Sequence, residues 1–160
     1  EWRDLQEAHN LHMYKPDADL NVLIDAPAIA IRNNNIFNIV FAGECVASIH
    51  ASKACWAYEK AAVQIKNGQI NAFGNASIYA LDSAVEAFGN VSVSALGHSQ
   101  VTAYDNSTIN AGDFTEVTSM HLSSISAGQL RRDQVVIYAY SRIAKITAKN
   151  NTKVIIDYKN

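Results

Sequence analysis

Apolar and polar positions alternate along this chain in units of eight residues. Read from Ser83, the units are S-A-V-E-A-F-G-N, V-S-V-S-A-L-G-H, S-Q-V-T-A-Y-D-N, S-T-I-N-A-G-D-F, T-E-V-T-S-M-H-L and S-S-I-S-A-G-Q-L. These six units follow one another without a gap from 83 to 130, with the consensus Ser-x-Val-x-Ala-(Phe/Leu/Tyr)-(Gly/Asp)-Asn. Ser, Val and Ala alternate with polar residues, which is the period-two pattern of a strand with one buried face. Val or Ile at the centre suits a pleated surface. The next three residues have corner chemistry: Gly, Asp and Asn accept left-handed backbone angles and make local hydrogen bonds. Each unit therefore predicts a five-residue strand and a three-residue corner.

The same phrase runs upstream with slips of one residue, at Cys55-x-Ala57, Val63-x-Ile65, Ile70-x-Ala72 and Ile78-x-Ala80. Fainter copies stand at Val22-x-Ile24, Ile29-x-Ile31 and Ile49-x-Ala51. After a break at Leu130-Arg131-Arg132-Asp133 it resumes at Ile137-x-Ala139, Ile146-x-Ala148 and Val154-x-Ile156. Repetition at a fixed short period predicts a solenoid. Two strands and two corners close a coil of about 16 residues, whereas three would give a triangular coil of about 24. The small inward residues favour two, since they fill a thin slab between two sheets. At roughly 4.8 Å per coil, about eight coils make a rod roughly 40 Å long. The expected fold is thus all-β, a single-stranded β-solenoid over residues 21–160, most regular at 47–130. Its register buries Val93, Val101, Ile109 and Val117 and exposes Ser94, Thr102, Asn110 and Thr118. Phe73, Phe88, Tyr104 and Met120 recur near every sixteenth residue, so they should stack along one edge and seal the slab there. Leu81, Leu96 and Gly112 should line the other edge.

Residues 1–20 read differently. Glu1 to Lys15 predicts a short helix with Trp2, Leu5 and Ala8 on one face, stopped by Pro16. It is expected to cap the first strand edges or to contact another copy, because open edges must be blunted. At the other end Lys153, Asp157 and Lys159 punctuate the last strand. At 160 residues, 49% of them apolar, the chain fits one domain with a real core. Cys45 and Cys55 are too few for a disulfide framework, and Cys55 takes an inward position as a free thiol. The net charge of −2 gives no reason to expect nucleic acid or an anionic membrane as partner. No apolar run approaches the length of a membrane span, and no signal-like segment opens the chain. Because it begins at Glu1, a preceding segment is expected to have been removed or left out.

The charges are unevenly placed. Residues 67–130 contain no Lys or Arg and five acids, Asp82, Glu86, Asp105, Asp113 and Glu116. Residues 131–160 contain seven bases and two acids. Arg131, Arg132 and Arg142 of this basic end are therefore candidate partner-binding residues. Tyr104 and Phe88 of the aromatic ladder are the other candidates. His9 and His12 stand three apart on the expected helix, but no third ligand is placed near them, so no metal site is assigned. Glu86 and Glu116 point outward on one face about two coils apart. Corners of three residues wall off no cleft around them, so no catalytic residue and no cofactor are assigned. Neither face carries the regular rank of Thr that ice binding requires.

The phrase V-E-A-F-G-N-V-S-V-S-A-L-G-H-S-Q-V-T-A-Y-D-N resembles the octapeptide-repeat proteins of bacteriophages and gut bacteria, which carry runs such as Ala-Thr-Val-x-Ala-Tyr-Asp-Ser. The resemblance covers about residues 47–130; the C-terminal register and the basic end depart from it. It implies a β-solenoid of phage or bacterial origin, in the host cytoplasm or the virion, and supplies no catalytic residue. The functional expectation is a non-catalytic scaffold or recognition module that binds a protein or glycan partner through its flat sheet faces or its basic C-terminal end and can associate with itself. The alternatives are a phage counter-defence protein that occupies a host factor, and a polysaccharide-active enzyme.

Overall fold

A computed structural model describes residues 2–9, 11, 20–32, 38–50 and 54–158. Beyond the helix Trp2–His9 the described chain is a stack of short parallel strands in two sheets, one of nine strands and one of eight. Successive strands alternate between the sheets, so each sheet grows by one strand per coil. Ser92 pairs with Thr108 and Thr108 with Ser124, sixteen residues at each step. The chain is the two-stranded β-solenoid that its octapeptide predicts.

Register follows from the alternation. Val93, Val101, Ile109 and Val117 are at most 2% exposed, and they belong to one continuous slab core between the sheets. Ser94, Thr102, Asn110 and Thr118 point outward, but only Asn110 is well exposed. The others are half-buried because identical positions of neighbouring coils lie about 4.8 Å above and below and shade them. Strand assignments cover four or five residues, and the unit's leading Ser or Thr belongs to the corner. Ser83, Ser99, Ser107, Thr115 and Ser123 turn inward there and are at most 4% exposed. Burial of a hydroxyl is costly without a partner. Ser107 Oγ donates to Tyr104 O at 2.7 Å, Thr115 Oγ1 to Ala95 O at 3.3 Å, and Ser119 and Ser123 bond each other at 2.9 Å.

The two edges of the slab differ. On one, four residues link each inward strand residue to the next strand in five successive corners, 58–61, 73–76, 88–91, 104–107 and 120–123. The first residue of each corner follows an inward Ala or Ser, so parity turns it outward. Tyr58, Phe73, Phe88 and Tyr104 therefore stack on the outside, with centroids 4.6–5.0 Å apart and ring planes within 9°. This corrects the expectation that the rings seal the slab. The corner is closed by the fourth residue, Ala61, Ala76, Val91, Ser107 or Ser123, each fully buried. Met120 takes the next rung, its N–H bonding Ala103 O at 2.9 Å, but the ring nearest to Tyr104 there is His121, tilted at 54°.

On the opposite edge the corner length changes. Three residues link the strands at 66–68 and 81–83, four at 96–99 and 112–115, and eight at 128–135. The one-residue slips of the upstream repeat and the break at 130–133 are both changes on this edge. Leu81 pairs with Leu96, and a Cβ on Gly112 would approach Leu96 Cδ2 to 2.8 Å, so a larger residue there would have to displace the Leu96 side chain.

The helix Trp2–His9 packs beside the first coils of the stack. Leu5 packs with Leu11, Val40, Ala42 and Tyr58 in a second cluster on the outer face of the nine-stranded sheet. The strand Asn38–Ala42 is consequently buried at all five positions, covered by the slab on one side and by this cluster on the other. Ala8, expected on the packed face, is exposed. His12, Lys15, Pro16, Ala51 and Lys159, to which the sequence pattern gave roles, lie outside the described residues.

Candidate functional site

Corner polarity is mostly spent on the backbone. The second residue of the aromatic-edge corners has positive φ at Glu59, Gly74, Gly89, Asp105 and His121. Where glycine leaves an N–H bare, the next corner supplies a carboxylate: Gly43 N–H donates to Glu59 Oε1 and Gly89 N–H to Asp105 Oδ2, both at 2.9 Å. On the other edge Gly97 N–H donates to Asp113 Oδ2 at 2.9 Å and His98 N–H to Asp82 Oδ1 at 2.8 Å. Three of the five acids in the middle of the chain, Asp82, Asp105 and Asp113, are thus corner ties. Glu86 and Glu116 stand on the outer face of the nine-stranded sheet as expected, but in neighbouring columns. Two coils and one lateral step separate them, about 11–12 Å between backbones.

Phe88 and Tyr104 lie side by side in the ladder, 4.6 Å apart. Phe73 and Tyr104 cover the two faces of Phe88, which offers a partner its edge; Tyr104 is stacked on one face and adds a hydroxyl. Sequence spacing starts this ladder at Phe73; its first rung, Tyr58, stands in a corner that reads Tyr-Glu-Lys-Ala in place of Phe-Gly-Asn-Ala and was missed. Tyr58 is also the most enclosed rung, 2% exposed. Its hydroxyl has no hydrogen-bond partner among the described residues, and burial pushes its pKa up to about 12. Beside it Glu59 Oε1 ties the helix to the solenoid through His9 Nδ1 at 2.7 Å. His9 is therefore engaged by a carboxylate, and no group of three His, Cys, Asp or Glu suited to a metal occurs among the described residues.

The three candidate arginines are not one patch. Arg131 and Arg132 sit on the eight-residue corner of the stepped edge, both exposed, with Arg132 Nε 3.8 Å from Asp113 Oδ1. Arg142 sits on the aromatic edge, its guanidinium 5.7 Å from the Tyr158 ring. A strand's length, roughly 13–16 Å, separates the two groups. Exposed apolar side chains accompany each: Phe114 and Leu130 with the first pair, Leu122 and Ile143 with Arg142.

The flat sheet faces are the remaining expected surface, one of them small and polar in sequence at Ser92/Ser94, Thr108/Asn110 and Ser124/Ser126. The outer face of the eight-stranded sheet carries two columns, Val46, Ala62, Ser77, Ser92, Thr108, Ser124 and Ser48, Gln64, Tyr79, Ser94, Asn110, Ser126. Neither column holds a charge until Lys145. They floor a shallow trough of about 730 Å³ running from Ala28 to Asn110. Val46 and Tyr79 rise from it, 49% and 46% exposed. Comparisons of the chain with known protein families, with curated proteins and with solved structures find no match.

Proposed function

We propose that the chain is a non-catalytic recognition module that binds a protein or glycan partner through the outer face of its eight-stranded sheet. One observation carries this reading: six successive coils present small, uncharged side chains in two columns, with Val46 and Tyr79 exposed among them. Interface cores are depleted of charge because an unpaired charge is costly to desolvate. A half-exposed tyrosine is a preferred anchor, since it buries a large ring at little entropic cost. The parallel stack holds these groups on rigid backbone, so binding requires little ordering of the module itself.

The resemblance to phage and bacterial repeat proteins makes a bacterial lysate and a panel of bacterial glycans the probes. The wild-type chain and Thr102→Lys, on the opposite face, should capture the same partner. Tyr79→Lys combined with Ser94→Lys should lose it. Capture that survives the face substitutions would exclude this face as the recognition surface. Turnover of a polysaccharide in the same panel would favour the enzymatic alternative.

A further inference from the structure

The stepped edge has a relief that matches itself. At 66–68 and 81–83 the corners are one residue short, and a notch of about 640 Å³ opens there, lined among others by Asn67, Gln69, Asp82 and Gln100. In the next two coils the corner regains its residue, and His98 and Phe114 project, stacked at 4.9 Å with Phe114 48% exposed. In the coil after that the chain carries four extra residues, and Leu130, Arg131 and Arg132 stand out exposed above the buried Asp133. Asp82, Gly97, Asp113 and Asp133 occupy the same corner position in these four coils. Notch and bulge are therefore three rungs apart, about 14 Å, with the His98–Phe114 pair midway between them.

We propose that two copies of the chain associate antiparallel along this edge, about a two-fold axis at the His98–Phe114 stack. That operation brings the bulge of each copy to the notch of the other. A two-fold interface requires a surface complementary to itself, residue i meeting j and j meeting i. Here the signs match: Arg131 and Arg132 meet a notch whose one charged side chain is Asp82, twice over. At the centre His98 of one copy faces Phe114 of the other, and aromatic groups at the middle of an interface with charges at the rim are the usual arrangement. Arg132 is free to re-pair, because its contact with Asp113 is long and its side chain is 77% exposed. The edge is narrow and about four rungs long, so the association is weak and salt-sensitive, exposed charges being screened within roughly 8–10 Å at physiological ionic strength. Both sheet faces stay open, so this inference does not rest on what the trough binds; it would make the module bivalent.

The test is sedimentation equilibrium at low and high salt on the wild type, on Arg131→Glu with Arg132→Glu, on Gln69→Lys with Gln100→Lys, and on an equimolar mixture of the two variants. All four positions are exposed, so folding is retained, and circular dichroism and melting check it. The wild type should dimerise, more weakly at high salt. Each variant alone should self-associate at least tenfold more weakly, since the introduced glutamates then meet Asp82, or the introduced lysines meet Arg131 and Arg132. The mixture should recover a heterodimer, because the glutamates of the first variant meet the lysines of the second, while the native arginines of the second meet the native Asp82 of the first. Phe114→Ser should weaken every pairing. A wild type that stays monomeric, self-association indifferent to the arginine reversal, or a mixture that fails to pair would each overturn the proposal. Loss of lysate capture by Tyr79→Lys with Ser94→Lys is a separate readout and leaves this one unchanged.

Discussion

The two edges of the slab use the same corner chemistry but treat length in opposite ways. Along the aromatic edge five successive corners keep four residues, while along the stepped edge the count runs three, three, four, four, eight. The difference lies in what each corner touches. A ring such as Phe88 is held by Phe73 on one side and Tyr104 on the other, so a change of length displaces it from both. The stepped corners touch their neighbours through single side chains, Leu96 against Gly112 or Asp113 to the N–H of Gly97, and each such contact can be rebuilt locally. The aromatic edge fixes the pitch; the stepped edge is where the molecule acquires relief.

The largest effect should come from the core that both edges enclose. Val101→Asp places an unpaired carboxylate in the slab and should cost about 3–5 kcal/mol, whereas Thr102→Lys, one residue on and facing out, should stay within about 0.5 kcal/mol. Equal melting temperatures for the two would contradict the register. Next in size is the contrast between edges. One glycine inserted between Asn90 and Val91 breaks two ring stacks and the Gly89–Asp105 bond, and should cost about 2–4 kcal/mol. The same glycine between Gln129 and Leu130 lengthens an existing bulge and should cost about 0.5 kcal/mol or less. Similar losses at both sites, read by thermal melting, would remove the distinction drawn between the edges.

The bulge is tolerated because it is capped from within. Asp133 is 2% exposed and accepts the N–H of Asp113 at Oδ1 and of Leu130 at Oδ2, both at 2.9 Å. Asp133→Ala leaves both donors without partners and should cost about 2–3 kcal/mol; Asp133→Asn keeps one acceptor and should cost less. Denaturant titration of the pair checks the order, and an alanine variant no less stable than the asparagine one would show that the bulge holds itself.

Much of this was legible before the structure. Six gapless octapeptides fix parity, and parity alone places Val101 inside and Thr102 outside. Parity also puts Phe88, the residue after inward Ala87, on the outer surface; the expectation that it sealed the slab gave size more weight than alternation. The strand Asn38–Ala42 was missed because it does not alternate: five buried residues in a row mark a strand covered on both sides, and that signal was present in N-I-V-F-A. Two things were not legible. Sequence spacing shows that a unit gained or lost a residue, but not on which edge, because both corners use the same residue types. Nor does amphipathicity tell a helix which surface to cover, so Leu5 could be called packed but not placed against Val40 and Tyr58. The basic candidates divide between the edges for the first reason: Arg131, Arg132 and Arg142 are near in sequence, yet one strand carries the chain from one edge to the other between them.

The smallest effect at neutral pH tests the end of the ladder where helix and aromatic edge meet. The Tyr58 hydroxyl is enclosed without a hydrogen-bond partner among the described residues, so removing it forfeits no bond seen there and relieves a desolvated polar group. Tyr58→Phe should therefore be neutral or stabilising by about 1 kcal/mol or less, while Tyr104→Phe, whose hydroxyl is at a half-exposed ring, should do nothing measurable. The alkaline limb amplifies the difference. Burial raises the Tyr58 phenol from 10.0 to about 12, so between these values the folded chain keeps a proton that the unfolded chain has lost. The stability linked to Tyr58 is fully present below pH 10 and is lost as pH rises toward 12, by up to roughly 3 kcal/mol. The curve to measure is the difference in stability between wild type and Tyr58→Phe from pH 8 to 12. It should be flat to pH 10 and then grow in favour of the phenylalanine variant, with the helix Trp2–His9 loosening first in the wild type as phenolate forms beneath it. A difference that stays flat to pH 12 would mean that the hydroxyl reaches water, and that the helix does not close over the first rung of the ladder.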